Sequence, residues 1–168
     1  MEYTEIPEQI IGDKLGGWSI EKKLFNWIIK NIPIGSTILE LGSGYGTIEL
    51  SKKYKMISIE HDKKWLNLCE ESKYIYAPLK DNWYDVNILK NKLNGIKYDV
   101  ILIDGPPKKV SNRFKLIQNI SLFNKNIIWI IDDVNRNDEM KMCKLISNMV
   151  GRRFRIGRGE RKDFAVIV

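Results

Sequence analysis

The 168-residue chain has one histidine and only two cysteines, Cys69 and Cys143, which lie 74 positions apart and in no CxxC pair. A cysteine–histidine zinc site therefore cannot be assembled from it. Both cysteines fall in apolar-periodic segments, as expected of buried, reduced thiols. No apolar run approaches the roughly 20 residues needed to span a bilayer, so no membrane association is expected. The opening residues, MEYTEIPEQ, carry acids and a proline where a secretory leader would carry basic residues and then an apolar stretch. A cytoplasmic protein is the expectation. Internal repeats, low-complexity tracts and Pro/Ser-rich linkers are also missing. A chain of this length builds one full core, expected over 19–168, with 1–18 as an N-terminal segment able to serve as a lid.

Charge is lopsided. The formal net charge is +7, and residues 152–162 (RRFRIGRGERK) hold six of the 28 Lys and Arg. Such a run attracts phosphate-bearing or acidic partners, or forms a solubilising face; +7 is modest for a dedicated nucleic-acid binder.

What the chain does have is alternation. An amphipathic helix is expected from Ser19, as N-cap, to about Asn31, because Ile20, Leu24, Trp27 and Ile28 recur at helical spacing. Strand-length apolar runs follow at 37–41, 56–60, 74–76, 98–103 and 127–131. Helical patterns lie between and after them, at roughly 47–54, 63–72, 84–94, 111–121 and 136–150. Strands that are apolar on both faces and alternate with helices imply an α/β three-layer sandwich around a mostly parallel sheet. Right-handed crossovers then bring every strand's C-terminal end to one edge. The runs 153–156 and 164–168 have no room for a helix between them, so the chain should end in a hairpin whose last strand is antiparallel to the rest.

Polar and glycine residues gather past each parallel strand, where open α/β sheets bind ligands. Glu40, Gly42, Ser43, Gly44 and Gly46 follow the first strand; Glu60, His61 and Asp62 follow the second; Ala77, Pro78 and Leu79 follow the third. Asp104-Gly105-Pro106-Pro107 follows the fourth, and Asp132-Asp133 the fifth. Glycines at 42, 44 and 46 let backbone approach a ligand and turn into a helix for which Thr47 is a candidate cap. Glu60, 18 residues after Gly42, can accept hydrogen bonds from both hydroxyls of a ribose. An adenosyl ligand follows from the loop, the acid and their spacing together. The dinucleotide fingerprint would need glycine at 47, where this chain has Thr47, and Glu40 would repel a pyrophosphate but suit an ammonium group. An NAD-dependent oxidoreductase is therefore disfavoured.

At these residues the sequence resembles the class I S-adenosylmethionine-dependent methyltransferases. ILELGSGYG is similar to that family's first motif, ISIEHD to its second and YDVILIDGPP to its fourth, and the terminal hairpin to its antiparallel seventh strand. The resemblance spans about 19–168. It implies a seven-stranded sheet and S-adenosyl-L-methionine as cofactor. Glu40, Gly42, Ser43, Gly44 and Gly46 would then face the methionine moiety and Glu60 the ribose. His61 and Asp62 would lie near the adenosine, and Ala77, Pro78, Leu79 and Trp83 beside the adenine. Asp104 would be the acceptor-side base or orienting group. Asp104, Asp132 and Asp133 also resemble in position the magnesium ligands of catechol-type O-methyltransferases, which carry Asp-Asn where this chain has Asp132-Asp133. The expected reaction is methyl transfer to an oxygen or nitrogen of a small molecule or glycan. No NPPY-type motif follows the fourth strand, so methylation of DNA bases loses support. The alternative is a non-catalytic module of this fold that holds nucleic acid or a protein partner through 152–162.

Overall fold

Runs such as Val100–Ile103 (VILI) and Ile128–Ile131 (IWII) are apolar at every position because both of their faces are covered. In the computed structural model, which describes residues 15, 16 and 19–168, alternate residues of each central strand enter different cores. Leu39, Leu41, Ile101 and Ile103 point to one side with Trp83, Phe123, Trp129 and Ile146. Ile38, Val100, Leu102 and Ile130 point to the other, with Ile20, Leu24 and Ile28. The lid expected over 1–18 lies, apart from Leu15 and Gly16, outside the described residues.

The elements are α1 (Lys22–Asn31), β1 (Thr37–Leu41), α2 (Tyr45–Ser51), β2 (Lys55–Glu60), β3 (Lys73–Tyr76), β4 (Leu79–Lys80) and β5 (Trp83–Tyr84). Then come α3 (Val86–Leu93), β6 (Val100–Ile103), β7 (Ile128–Ile131), α4 (Asn137–Val150), β8 (Phe154–Gly157) and β9 (Phe164–Ile167). Seven strands form one sheet in the order β3-β2-β1-β6-β7-β9-β8. β3, β2, β1, β6 and β7 are mutually parallel, and β9 runs antiparallel to both β7 and β8. Leu41 is level with Ile59 and Ile103, and Ile103 with Ile131, so residues 42, 60, 104 and 132 emerge on one edge. Strand order reverses between β1 and β6, which makes their junction the switch point. No helix among the described residues is long and apolar enough to cross a membrane.

Three local expectations give way. Ser19 does not cap α1: its hydroxyl accepts from Gly16 N in a preceding turn, and Glu21 stands at the N-cap position. Glu21 instead accepts from the backbone of Glu160 and Arg161, at 2.8 and 2.9 Å, tying α1 to the β8–β9 loop. The helix expected over 63–72 reduces to a 3-10 turn, Lys63–Trp65, whose cap is Asp62 accepting from Lys64 N. Residues 79–84 form a small hairpin, β4–β5, turning through Asp81 and Asn82 at φ +53° and +64°, the left-handed pair of a tight hairpin turn.

Candidate active site

A cavity of about 250 Å³ opens at the switch point. Its floor is two backbones in contact. Gly42 has φ +90°, and a Cβ there would lie 2.9 Å from Gly105 Cα; a Cβ on Gly105 would lie 2.7 Å from Gly42 Cα. Only glycine permits β1 and β6 to end this close together. Ser43 and Gly44 continue the wall, and Gly44 has nothing within 4 Å of where a Cβ would stand. α2 begins at once, with Gly44 as N-cap; Thr47, at the third helical position, completes a capping box, its hydroxyl accepting from Gly44 N at 3.0 Å.

Glu60, His61 and Asp62 form the opposite wall with Trp65. The Glu60 carboxylate accepts from Ser43 N (2.9 Å), Ser43 Oγ (3.2 Å), His61 N (2.7 Å) and Asp62 N (2.8 Å). It also lies 2.7 Å from His61 Nδ1. Burial alone would raise its pKa, but the hydrogen bonds from His61, Asp62 and Ser43 outweigh it and hold the carboxyl below its ordinary value. An ionised acceptor thus pins the glycine loop of β1 to the end of β2.

Six of the residues expected at the cofactor stand behind or away from this cavity's lining: Glu40, Gly46, Ala77, Pro78, Leu79 and Trp83. Glu40 is buried under the loop and accepts from Thr47 Oγ1 (2.6 Å) and Ser58 Oγ (2.8 Å). Burial, opposed by those two hydroxyls, pushes its pKa up to about 7. Gly46 is a packing position, where a Cβ would meet Ile20 at 3.0 Å. Ala77 is buried, and Leu79 opens the β4–β5 hairpin. Trp83 is in the core, edge-on to Tyr84 and Phe123, and does not line this cavity. Tyr84 is the aromatic nearer the site, its ring edge-on to His61 at 6.4 Å. Trp65 also lines the cavity, and its carbonyl accepts from Ser43 Oγ at 2.8 Å.

Asp104 closes the cavity on the β6 side, next to Asp132 and Asp133 at the end of β7. Oxygens of the three carboxylates lie within 4.8 Å of one another. Three cations already face them. Arg113 reaches Asp133 at 3.1 Å and Asp104 at 3.8 Å, and donates to the Asp104 and Pro106 carbonyls. Arg136 pairs with Asp133 at 3.0 Å. Lys162 lies 3.5 Å from Asp132 and 3.9 Å from Asp133, and donates to Ser19 O at 3.0 Å. A divalent cation needs several oxygen ligands around it, not guanidinium and ammonium groups in the same shell. As they stand, the three acids form an ion network with the chain's own cations, which a metal at Asp104, Asp132 and Asp133 would have to displace. Within it, burial first and the Asp132 charge second raise the Asp104 pKa well above its ordinary value, against Lys162 and Arg113. Arg113 and Lys162 were not legible as site residues, since each lies 20 or more positions from its acid partner at the end of β7.

Three of the six cations in the basic run 152–162 are engaged by other parts of the chain. Arg152 donates to the Lys125 and Ile127 carbonyls, Arg158 pairs with Asp163, and Lys162 points into the acid trio.

The sheet order, the antiparallel strand β9 between β7 and β8, and the cavity at the switch point together define the class I methyltransferase fold. The chain is similar over 99% of its length to 92% of a putative caffeoyl-CoA O-methyltransferase from Staphylococcus aureus, with TM-score 0.64 and 12% identity. It is similar over 96% of its length to 53% of MycE from the mycinamycin biosynthetic pathway, solved with Mg and SAH (TM-score 0.59, 13% identity). A methyltransferase-like protein from Silicibacter pomeroyi matches 92% of the chain over 90% of its own (TM-score 0.57, 14% identity). No family profile and no curated protein sequence matches the chain.

Proposed function

We propose that the protein transfers a methyl group from S-adenosyl-L-methionine to a hydroxyl of a small molecule or sugar. The observation that carries this reading is that one cavity is lined by the glycine loop of β1, the Glu60–Asp62 end of β2 and Asp104 of β6. The fold neighbours support it: MycE was solved with Mg and SAH, and the S. aureus protein is a putative caffeoyl-CoA O-methyltransferase. When bound, the cofactor supplies an electrophilic sulfonium methyl with a good leaving group. The chain's own residues then have three tasks. Gly42 lets β1 close against Gly105 of β6, Gly44 leaves room beside its backbone, and Trp65 and Tyr45 line the cavity. Glu60 holds the loop in register through Ser43. Asp104 orients the acceptor hydroxyl and takes its proton, for which a carboxyl shifted upward toward neutrality is better matched than an ordinary one. No metal step is needed, because Lys162 and Arg113 supply the positive field beside Asp104.

Calorimetric titration with S-adenosylmethionine, S-adenosylhomocysteine and NAD tests the reading. Binding of the first two and not the third is expected; a preference for NAD would overturn it.

A further inference from the structure

The cavity at the switch point has a wall that the sheet edge does not supply. Gly16 and Ser19 line it from the N-terminal side, before α1 begins at Lys22. Little local structure fixes them there. Gly16 N donates to Ile20 O at 3.0 Å and Ser19 N to Gly16 O at 3.2 Å, and neither residue belongs to a helix or strand. Their placement comes from the loop between β8 and β9. Lys162, 143 positions after Ser19, donates to the Ser19 carbonyl at 3.0 Å and lies 3.5 Å from Asp132 and 3.9 Å from Asp133. An ammonium has three donors, and three oxygen-bearing groups stand around this one. The Lys162 side chain is only 11% exposed, so its charge has to be held by those acids. The Ser19 carbonyl is thereby tied to the end of β7. Glu21 fixes the loop itself, each carboxylate oxygen accepting one backbone N–H, from Glu160 and Arg161. A side chain at Gly159 would collide with the Lys162 carbonyl and with that carboxylate, so the loop is packed tightly at this tie. Between the two ties, Ile20 stands where a Cβ on Gly46 would meet it at 3.0 Å, which sets the same stretch against the start of α2.

Resting on the methyl-transfer reading above, we propose that Lys162 is a positioning residue for the cofactor. It acts through the Ser19 carbonyl, holding Gly16 and Ser19 in place as a wall of the cofactor cavity, and Glu21 holds the loop that carries it. Lys162 serves as a fixed point because its charge is already paired with Asp132 and Asp133. A hydrogen bond from an ammonium to a carbonyl is stronger than the neutral bonds between Gly16, Ser19 and Ile20, so the tie from Lys162 dominates where the wall stands. The acids at the end of β7 thus reach the cofactor side of the site through one side chain.

The test compares the full chain with Glu21→Gln, which leaves Lys162, Asp132 and Asp133 untouched, and with Lys162→Met. In the unliganded chain, hydrogen exchange at the Gly16 and Ser19 amides should quicken about fivefold in Glu21→Gln, the loss of one net hydrogen bond, while amides of β1 and β6 keep parental rates. Calorimetry should show S-adenosylhomocysteine affinity lowered about fivefold in Glu21→Gln and about tenfold in Lys162→Met, where a bond to a charged group is lost. Parental affinity in Lys162→Met would overturn the proposal. So would weakened binding in Glu21→Gln with Gly16 and Ser19 exchanging as in the parent. Exchange quickened equally in β1 and β6 would give Glu21 a general structural role and overturn it too. If Lys162→Met does not fold, Glu21→Gln decides alone. Failure of the parent to bind S-adenosylhomocysteine would instead overturn the methyl-transfer reading, and exchange in Glu21→Gln would still decide whether the β8–β9 loop holds that wall.

Discussion

Two glutamates at the ends of neighbouring strands show how environment sets the role of one residue type. Glu60 collects four hydrogen bonds and stays ionised, whereas Glu40 receives two hydroxyls in a fully enclosed position and sits near pKa 7. The sign of the Glu40 effect follows from where its proton goes. The folded chain keeps a proton that the unfolded chain releases from about 4.5 upward, so this residue's contribution to stability falls as pH rises from 4.5 to about 7 and stays low above that. The full drop is about 3 kcal/mol. Glu40→Gln keeps acceptors for Thr47 and Ser58 without the charge. Its melting temperature relative to the parent should therefore climb across that window, and parallel melting curves at all pH values would show that Glu40 does not titrate there. For Glu60, Glu60→Ala removes the tie to Ser43 and, on the proposed reading, the acceptor for the ribose. Calorimetry should show cofactor binding weakened by ~1.5–3 kcal/mol, the range for bonds to a charged group. Unchanged affinity would remove Glu60 from the site.

The β1–α2 connection concentrates this logic in a few residues, and its two central glycines should fail differently. Gly44 has extended backbone and open space at its Cβ position, so Gly44→Val should fold and melt like the parent while its side chain fills the cavity and abolishes cofactor binding. Gly42 has φ +90° and meets Gly105, so Gly42→Ala should cost ~1–3 kcal/mol of stability in denaturant titration before binding is considered. Parental stability in Gly42→Ala would mean that the two backbones can part freely. This connection was readable from sequence because glycine spacing and a two-faced apolar strand are local signals. So were the parallel strands and the terminal hairpin, which the structure places within two residues of expectation, β6 beginning at Val100 where 98 was expected. Segments without a local period were not. Residues 63–72 have Asn67 at φ +59° and no continuous helix, and reading them as helical hid Trp65 from view as a cavity wall. Trp83 was misplaced for the opposite reason: its neighbour in the β4–β5 hairpin, Tyr84, faces His61, and the hairpin is only two residues long on each side.

Across the whole molecule, one charge network joins five separate stretches of chain: the turn at Ser19, the end of β6, the segment begun by Arg113, the end of β7 and the loop before β9. The acids of this network were visible as strand-end residues. Their counter-cations were not, because nothing local marks Arg113 or Lys162 as different from the other basic residues; only the closed fold brings them together. That balance decides what chemistry the site can perform. With Lys162 and Arg113 opposing burial and Asp132, Asp104 is still shifted upward, which leaves it able to receive a proton once ionised. Methyl transfer should accordingly rise with pH along an acid limb displaced above the ordinary carboxylate range, since the base works only in its deprotonated form. Asp104→Asn should flatten that limb and lower the rate by ~10²–10⁴ while cofactor affinity changes little, because the amide is isosteric and lies across the cavity from Glu60. EDTA should have no effect on the parent, because three cations of the chain already neutralise the acids that a metal would require. Activity lost to chelator and restored by magnesium would show that Arg113 and Lys162 move aside for an ion. A variant Asp104→Asn that methylates as fast as the parent would place the base elsewhere, with His61, 2.7 Å from Glu60, the next group to replace.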